Sequence, residues 1–407
     1  MLSFVARRVG SAVGTLVLSS VIVFLAVQAL PGDVATQILG KDATPDAVAA
    51  LRGKLGLDQP AWQRYAHWMR GALHGDFGTS LVSGRPVGGE VATHLGNSAL
   101  IALVTVLFAV TGSIVLGILA GLYRDRWPDH LISTVSLVGM SVPEFVVATV
   151  LVLCFSIALP WFPAVVLYGP EASVGQLLPA VWLPALALAV VMAAYIVRMA
   201  RTSVIDVMAS EYVTTARLKG LSTWRVVTRH ALPGALLPTL HVIALNVAWL
   251  AGGVAVVENV FNYPGIGKLM LSSVQNRDLP VIQAIALISA VVYVVCNLAA
   301  DLGAMALNPK LRTGGRTRIT DVVCVEAAMR ASWVVLLISS LSFLGFGADP
   351  PTPDWGLMVA ENRTAITVVP MASLAPIIAL ATLVIGLNLA ADGLSKAWGV
   401  DRIREGS

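Results

Sequence analysis

Apolar residues along this chain gather in long, unbroken runs set apart by polar links, without the strict alternation of a half-buried strand or the narrow stripe of a soluble helix. Eight runs, near 9–30, 98–123, 131–159, 181–200, 235–257, 281–307, 332–347 and 371–391, reach or approach a spanning length. A helix needs about 20 residues to cross the hydrocarbon of a bilayer. Helices are the form such runs take in lipid, because each satisfies its own backbone polar groups where no water is available. The pattern predicts an all-α integral membrane protein.

Composition agrees and sharpens the picture. The 407 residues are 57% hydrophobic and 12% charged, with a mean hydropathy of +0.81, far above what a soluble domain carries. The first run follows Arg7-Arg8 but exceeds the core of a signal peptide and ends without a small-residue cleavage site, so it reads as a retained crossing. With the N-terminus in the cytoplasm, 18 of the 27 Lys and Arg lie on that side, and six of the other nine fall in one long outer loop. The formal charge of +4 is therefore a record of topology, and the chain carries no basic and aromatic interleaving of the kind that binds nucleic acid. Cys154, Cys296 and Cys324 are scattered in or beside apolar runs and read as small core hydrophobes, with no disulfide framework.

The outer loop, 31–97, predicts two short helices broken at LGLDQP and followed by the glycine-rich GDFGTS. Val48, Leu51 and Leu55 mark an apolar stripe on the first helix, and Trp62, Tyr65 and Trp68 mark one on the second. In the second run, Gly117 and Gly121 have the small-xxx-small spacing that admits a close neighbouring helix. In the third, Glu144 follows Pro143 about a dozen residues from the start, which at ~1.5 Å per residue sets a carboxyl near mid-bilayer. Two readings stand for it: a pathway-lining acid, or a neutral carboxyl satisfied by an adjacent helix.

Catalytic and metal signatures are missing. NYPGIGKLM has Gly267-Lys268, but Asn262 stands where a phosphate loop needs glycine and Leu269 where it needs a hydroxyl. The six histidines form no HExxH pair, and no GxSxG elbow or Cys and His cluster is present. What stands out is EYVTTARLKGLSTWRVVTRHALP, 211–233, a polar interruption between two apolar runs with Arg217, Lys219, Arg225 and Arg229 against the single acid Glu211. Tyr212 to Gly220 predicts two helical turns, on which Val213, Ala216 and Gly220 share a face of small residues suited to a close partner.

This loop resembles the "EAA" cytoplasmic loop of permease subunits in ATP-binding-cassette importers of the dipeptide, oligopeptide and nickel branch. Glu211, Ala216 and Gly220 fall on the loop signature, and Leu232-Pro233 closes it. The likeness extends through Arg7-Arg8, Leu30-Pro31-Gly32-Asp33, LGLDQP, GDFG, Val257-Glu258-Asn259-Val260-Phe261, Tyr263-Pro264-Gly265-Ile266-Gly267 and Asn308-Pro309-Lys310-Leu311-Arg312. It implies a six-crossing type I importer permease over 1–312, with a coupling loop at 201–234. That fold carries no ATPase site or bound cofactor of its own, because partner subunits hydrolyse the ATP. The implied ATPase contact is Glu211, Tyr212, Val213, Ala216, Arg217 and Gly220. Glu144, Asn246 and Glu258 are the candidates for lining the pathway.

The resemblance also implies partners: a second permease, two ATPase subunits or domains, an external or lipid-anchored binding protein, and a dipeptide or oligopeptide as cargo in a bacterial plasma membrane. Residues 313–407 are different. SLSFLGFGADPPTPDWGLMVAE and LNLAADGLSKAW resemble the last third of the companion permease, while Glu326-Ala327-Ala328 lacks the glycine that a coupling loop requires. The chain reads as a first permease joined to a fragment of the second, with about two extra apolar helices. The rival from another class is an ion-driven secondary transporter, which predicts paired intramembrane acids or broken helices in inverted repeats.

Overall fold

The structure is a computed structural model that describes residues 2–28, 44–54, 58–227, 229, 232–307, 334–347, 353–362 and 369–397. The first run forms α1 (Leu2–Gln28). The two loop helices are α2 (Pro45–Lys54) and α3 (Ala61–Leu73), the second starting directly after Pro60, whose fixed φ and missing N–H suit a helix start. They are the two short helices that the sequence predicts. Tyr65 and Trp68 pack on Phe24 of α1, the Tyr65 hydroxyl lies 2.8 Å from the Ser20 hydroxyl, and Arg64 donates to Gln28 Oε1 at 2.6 Å. Trp62 stays exposed, so the expected aromatic stripe divides between a packed face and a free one. The Leu51 and Leu55 side chains lie outside the described residues.

The bundle core is α4 (Val87–Leu122) against α7 (Val174–Met208). A Cβ added at Gly117 would sit 2.5 Å from Ala200 Cβ, and one at Gly121 2.7 Å from Val204 Cβ, so the two glycines do bring α4 onto α7. Thr105 and Ser113 donate across the same seam to the Ala185 and Ala193 carbonyls, both at 3.3 Å. The third run does not form one straight crossing. It splits into α5 (Trp127–Ser141) and α6 (Glu144–Val152), bent by 108°. Pro143 has no N–H to give and forces Val142 out of the helical region, to φ −101° and ψ 127°. Counting residues along an unbroken helix therefore misplaces Glu144, which opens α6 at the bend.

A single π turn (Leu153–Ala158) ends α6. After α7 come the short α8 (Glu211–Leu218) and α9 (Thr223–Val226), then α10 (Leu232–Val260), the short α11 (Ile266–Gln275) and α12 (Leu279–Leu307). Among the described residues four helices, α1, α4, α7 and α12, are long and apolar enough to cross a membrane. The bent α5–α6 pair makes a fifth, and α10, at 29 residues, has the length for a sixth. The tail adds α13 (Val334–Phe343), α14 (Trp355–Asn362) and α15 (Pro370–Ala397). Glu326-Ala327-Ala328 and Cys324 lie outside the described residues. Following the chain, α8 and α9 lie at the bundle end where α1 begins, and α3 and α11 at the other.

Candidate coupling site and pathway

At the α8 end, the geometry starts from a buried acid. Asp129, in the first turn of α5, accepts from Arg201 Nε and from Arg201 Nη2 at 2.7 Å, from the Asp125 N–H at 2.9 Å and from the Ser133 hydroxyl at 3.2 Å. The acid is almost wholly buried and the guanidinium half so. This fork joins the start of α5 to the last turns of α7, directly ahead of α8. Sequence reasoning passes it over. The available signal was Arg198 and Arg201 at the end of an apolar run and the Trp-Pro-Asp of a helix start.

The loop after α7 that the sequence marks as a coupling candidate folds as a helix of the expected length, but its small-residue face turns onto its own loop. Val213 and Ala216 are buried against Val226 of α9, with Val207, Met208 and Leu221 around them. They therefore form the seat of α8 on its own loop and leave no room there for a partner. The outward side carries Glu211, Tyr212, Thr214, Thr215 and Leu218, with Leu218 84% exposed. Gly220 has a backbone role that the spacing did not reveal. Its φ is +77° and nothing lies within 4 Å of an added Cβ, while the Leu221 N–H reaches the Ala216 carbonyl at 3.3 Å. Gly220 is thus the left-handed residue that closes α8. The Arg217 side chain lies outside the described residues.

At the opposite end, Glu258 faces no open pathway. It is fully buried, and its carboxylate accepts from the Ser98 hydroxyl at 2.5 Å, the Gly267 N–H at 2.7 Å and the Lys268 N–H at 3.1 Å. The Ser98 oxygen also takes the Ile266 N–H at 2.8 Å, so the first three N–H groups of α11 are satisfied by this pair. Gly265 and Gly267 permit the approach, since a Cβ on the first would collide with the Glu258 carboxylate and on the second with Ala255. Tyr263 donates to the Asn97 carbonyl at 3.1 Å, and Asn97 Nδ2 donates to the Pro170 and Pro264 carbonyls, both at 2.9 Å. Burial pushes the Tyr263 phenol above its usual range and keeps it a donor. The glycine-rich loop after α3 is tied to the same end by Asp278, which takes the Ser80 hydroxyl and, at 3.1 Å, the Leu81 N–H.

The other two pathway candidates separate. Asn246 donates to the Val242 carbonyl of its own helix at 2.8 Å. Glu144 is part-buried at the bend, held by its own backbone N–H and facing the Ser340 hydroxyl of the tail, with Tyr195 nearby. The structure thus brings none of the three together. No group of three or more His, Cys, Asp or Glu that could hold a metal occurs among the described residues.

Comparison with known proteins places this architecture. Residues 113–313 match the family described as binding-protein-dependent transport system inner membrane component, and residues 1–89 match its N-terminal part. The chain is 39% identical over 312 residues to the glutathione transport system permease protein GsiC of Escherichia coli strain K12, covering 77% of this chain and 99% of that protein. The corresponding proteins of Shigella flexneri serotype 5b and Salmonella typhimurium are 39% and 40% identical over the same length and shares.

Proposed function

The chain belongs to the family of binding-protein-dependent transport permeases, the membrane components of ATP-binding-cassette importers, and from that premise we propose that it carries small peptides and takes its drive through α8. As a permease of this class it is a transport component and not a catalytic subunit, and it works with a second permease, ATPases and a substrate-binding protein. The observation that carries the coupling proposal is the outward face of α8. An exposed leucine beside Tyr212, on a helix seated on its loop by Val213 and Ala216, is a surface made to be covered.

In this reading the ATPases approach one another on binding ATP and carry α8 with them. The buried Asp129–Arg201 fork passes that displacement to α5 and so to the bent α5–α6 helix, which moves as a hinge between inward-open and outward-open states. A loaded binding protein outside shifts the balance by binding one state more tightly. The N-terminus then lies in the cytoplasm of a bacterium, as the basic residues direct. The cargo class follows the relatives, whose glutathione is a small peptide. The α5–α6 bend alone does not favour an ion-driven carrier, because, of the described acids, Asp129 and Glu258 are held by structural partners and Glu144 stands at the bend beside Ser340 and Tyr195.

Leu218→Asp tests the coupling. Burying a leucine contributes about 1.5–3 kcal/mol, so its replacement by a charge lowers ATPase association at least tenfold. The expected result is a chain that inserts in the membrane at normal level but no longer copurifies with the ATPases, and whose vesicles no longer take up radiolabelled glutathione or dipeptides with ATP. Undiminished copurification would mean that the motor docks elsewhere.

A further inference from the structure

The tail repeats, in its own residues, the plan of the unit formed by α10, α11 and α12. In both, a short helix bridges two longer ones and its second and third N–H groups are held by a carboxylate. For α11 the donors are Gly267 and Lys268 on Glu258 Oε2. For α14 they are Gly356 at 2.8 Å and Leu357 at 3.2 Å on Asp354 Oδ1. In both, the other carboxylate oxygen takes a serine hydroxyl: Ser98 on Glu258, and Ser342 on Asp354 at 2.9 Å. In both, the second residue of the short helix is a glycine pressed on the backbone of the preceding helix, Gly267 on Ala255 and Gly356 on Ser339. The plan differs in where the acid and the serine stand: Glu258 lies in the preceding helix with Ser98 reaching it from α4, whereas Asp354 lies at the helix start with Ser342 in the preceding helix.

This second unit has a definite seat. The Phe343 ring stacks on Phe145 with centroids 4.7 Å apart and planes 14° from parallel. Phe145, Val146 and Val256 of the permease body form one buried cluster with Phe343, Val359, Ile377, Leu380 and Val384 of the tail. At its edge the Ser340 hydroxyl faces Glu144. Ser340 thus adds a polar neighbour for Glu144 at the rim of an otherwise apolar seat. Assemblies of two related subunits join through equivalent surfaces, and a unit of the α10–α12 plan is what a second permease of the same kind presents.

We propose that the face of α5, α6 and α10 around Glu144, Phe145, Val146 and Val256 is the docking surface for the α10–α12-type unit of a second permease, and that the described tail residues 334–347, 353–362 and 369–386 occupy it within this chain, so that tail and partner exclude one another. The inference rests on the reading above that the chain works with a second permease.

The test uses the full chain with Phe145→Cys and Phe343→Cys in a background where Cys154, Cys296 and Cys324 are serine. It is co-expressed with a tagged second permease subunit from an importer of this family. A short reducible bis-thiol-reactive cross-linker should join the two cysteines in the membrane, and the joined chain should lose capture by the tagged subunit, with reductant restoring it. Phe343→Ala, which loosens the tail without touching the docking face, should raise capture by up to about tenfold, the range of one stacked aromatic contact. Equal capture by the joined and reduced chains would overturn the inference and leave the permease reading intact, as would failure of the cysteines to join. If the tagged subunit captures no form of the chain, joined, reduced or loosened, the pairing reading itself falls.

Discussion

Glu258 shows how one buried residue can look functional in sequence and be structural in space. A lone acid at the end of an apolar helix is a fair candidate for a pathway, yet three donors converge on its carboxylate and none of them is solvent. Glu258→Ala leaves the Ser98 hydroxyl and two N–H groups of α11 buried without an acceptor, at about 1–3 kcal/mol each. Glu258→Gln keeps one acceptor oxygen and loses less. The expected order of melting temperatures in detergent is parent, then Gln, then Ala, with uptake falling in proportion to folded protein. A pathway-lining role would instead lower uptake by the Ala variant at an unchanged melting temperature. Gly220 makes a similar point for backbone: its residue type was legible, while the positive φ that calls for glycine there was not.

Among the elements, the α5–α6 bend and the Asp129–Arg201 fork form one mechanical line. Proline and the extended Val142 make a hinge that cannot be pulled straight without losing the α6 start, and the fork fixes the far end of α5 to α7. Arg201→Ala strands a buried carboxylate, which costs about 3 kcal/mol when one partner of such a pair is removed. Arg201→Lys keeps the charge but not the two-pronged geometry. We expect the Ala variant to lose thermal stability, and the Lys variant to retain most of it while transporting fewer substrate molecules per ATP hydrolysed. A Lys variant with the parent's transport-to-ATP ratio would show that the fork only holds the helices and passes no motion. The proline was readable in the sequence. The pairing was not, because its members stand 72 residues apart and neither carries a periodic signal.

For the whole molecule, the relatives set the scale of the working unit. They align over 312 residues with 99% of their own length, which leaves the α13–α15 tail as an addition to a chain length that already makes a permease. Removing residues 313–407 should therefore leave transport intact or improved when a second permease, the ATPases and a binding protein are supplied. Reconstitution in vesicles with and without that second permease measures this. Strong ATP-dependent uptake by the full chain without it, abolished by the truncation, would mean that the tail supplies a working half.

The runs of apolar residues, the prolines at 60 and 143 and the polar loop at 211–233 determined by themselves that this chain is a bundle of membrane helices with two short helices after the first and another between two long ones. Those features are local: a helix satisfies its own backbone, and Pro143, with the extended Val142 before it, breaks the third run where it stands. Tertiary structure alone decided which way α8 turns its small residues, and which partner each buried acid holds. Ser98 meets Glu258 across 160 residues and Ser80 meets Asp278 across 198. In a medium that offers no water, a buried carboxylate is set by whichever donors the packing brings to it, and no periodicity along the chain records that choice.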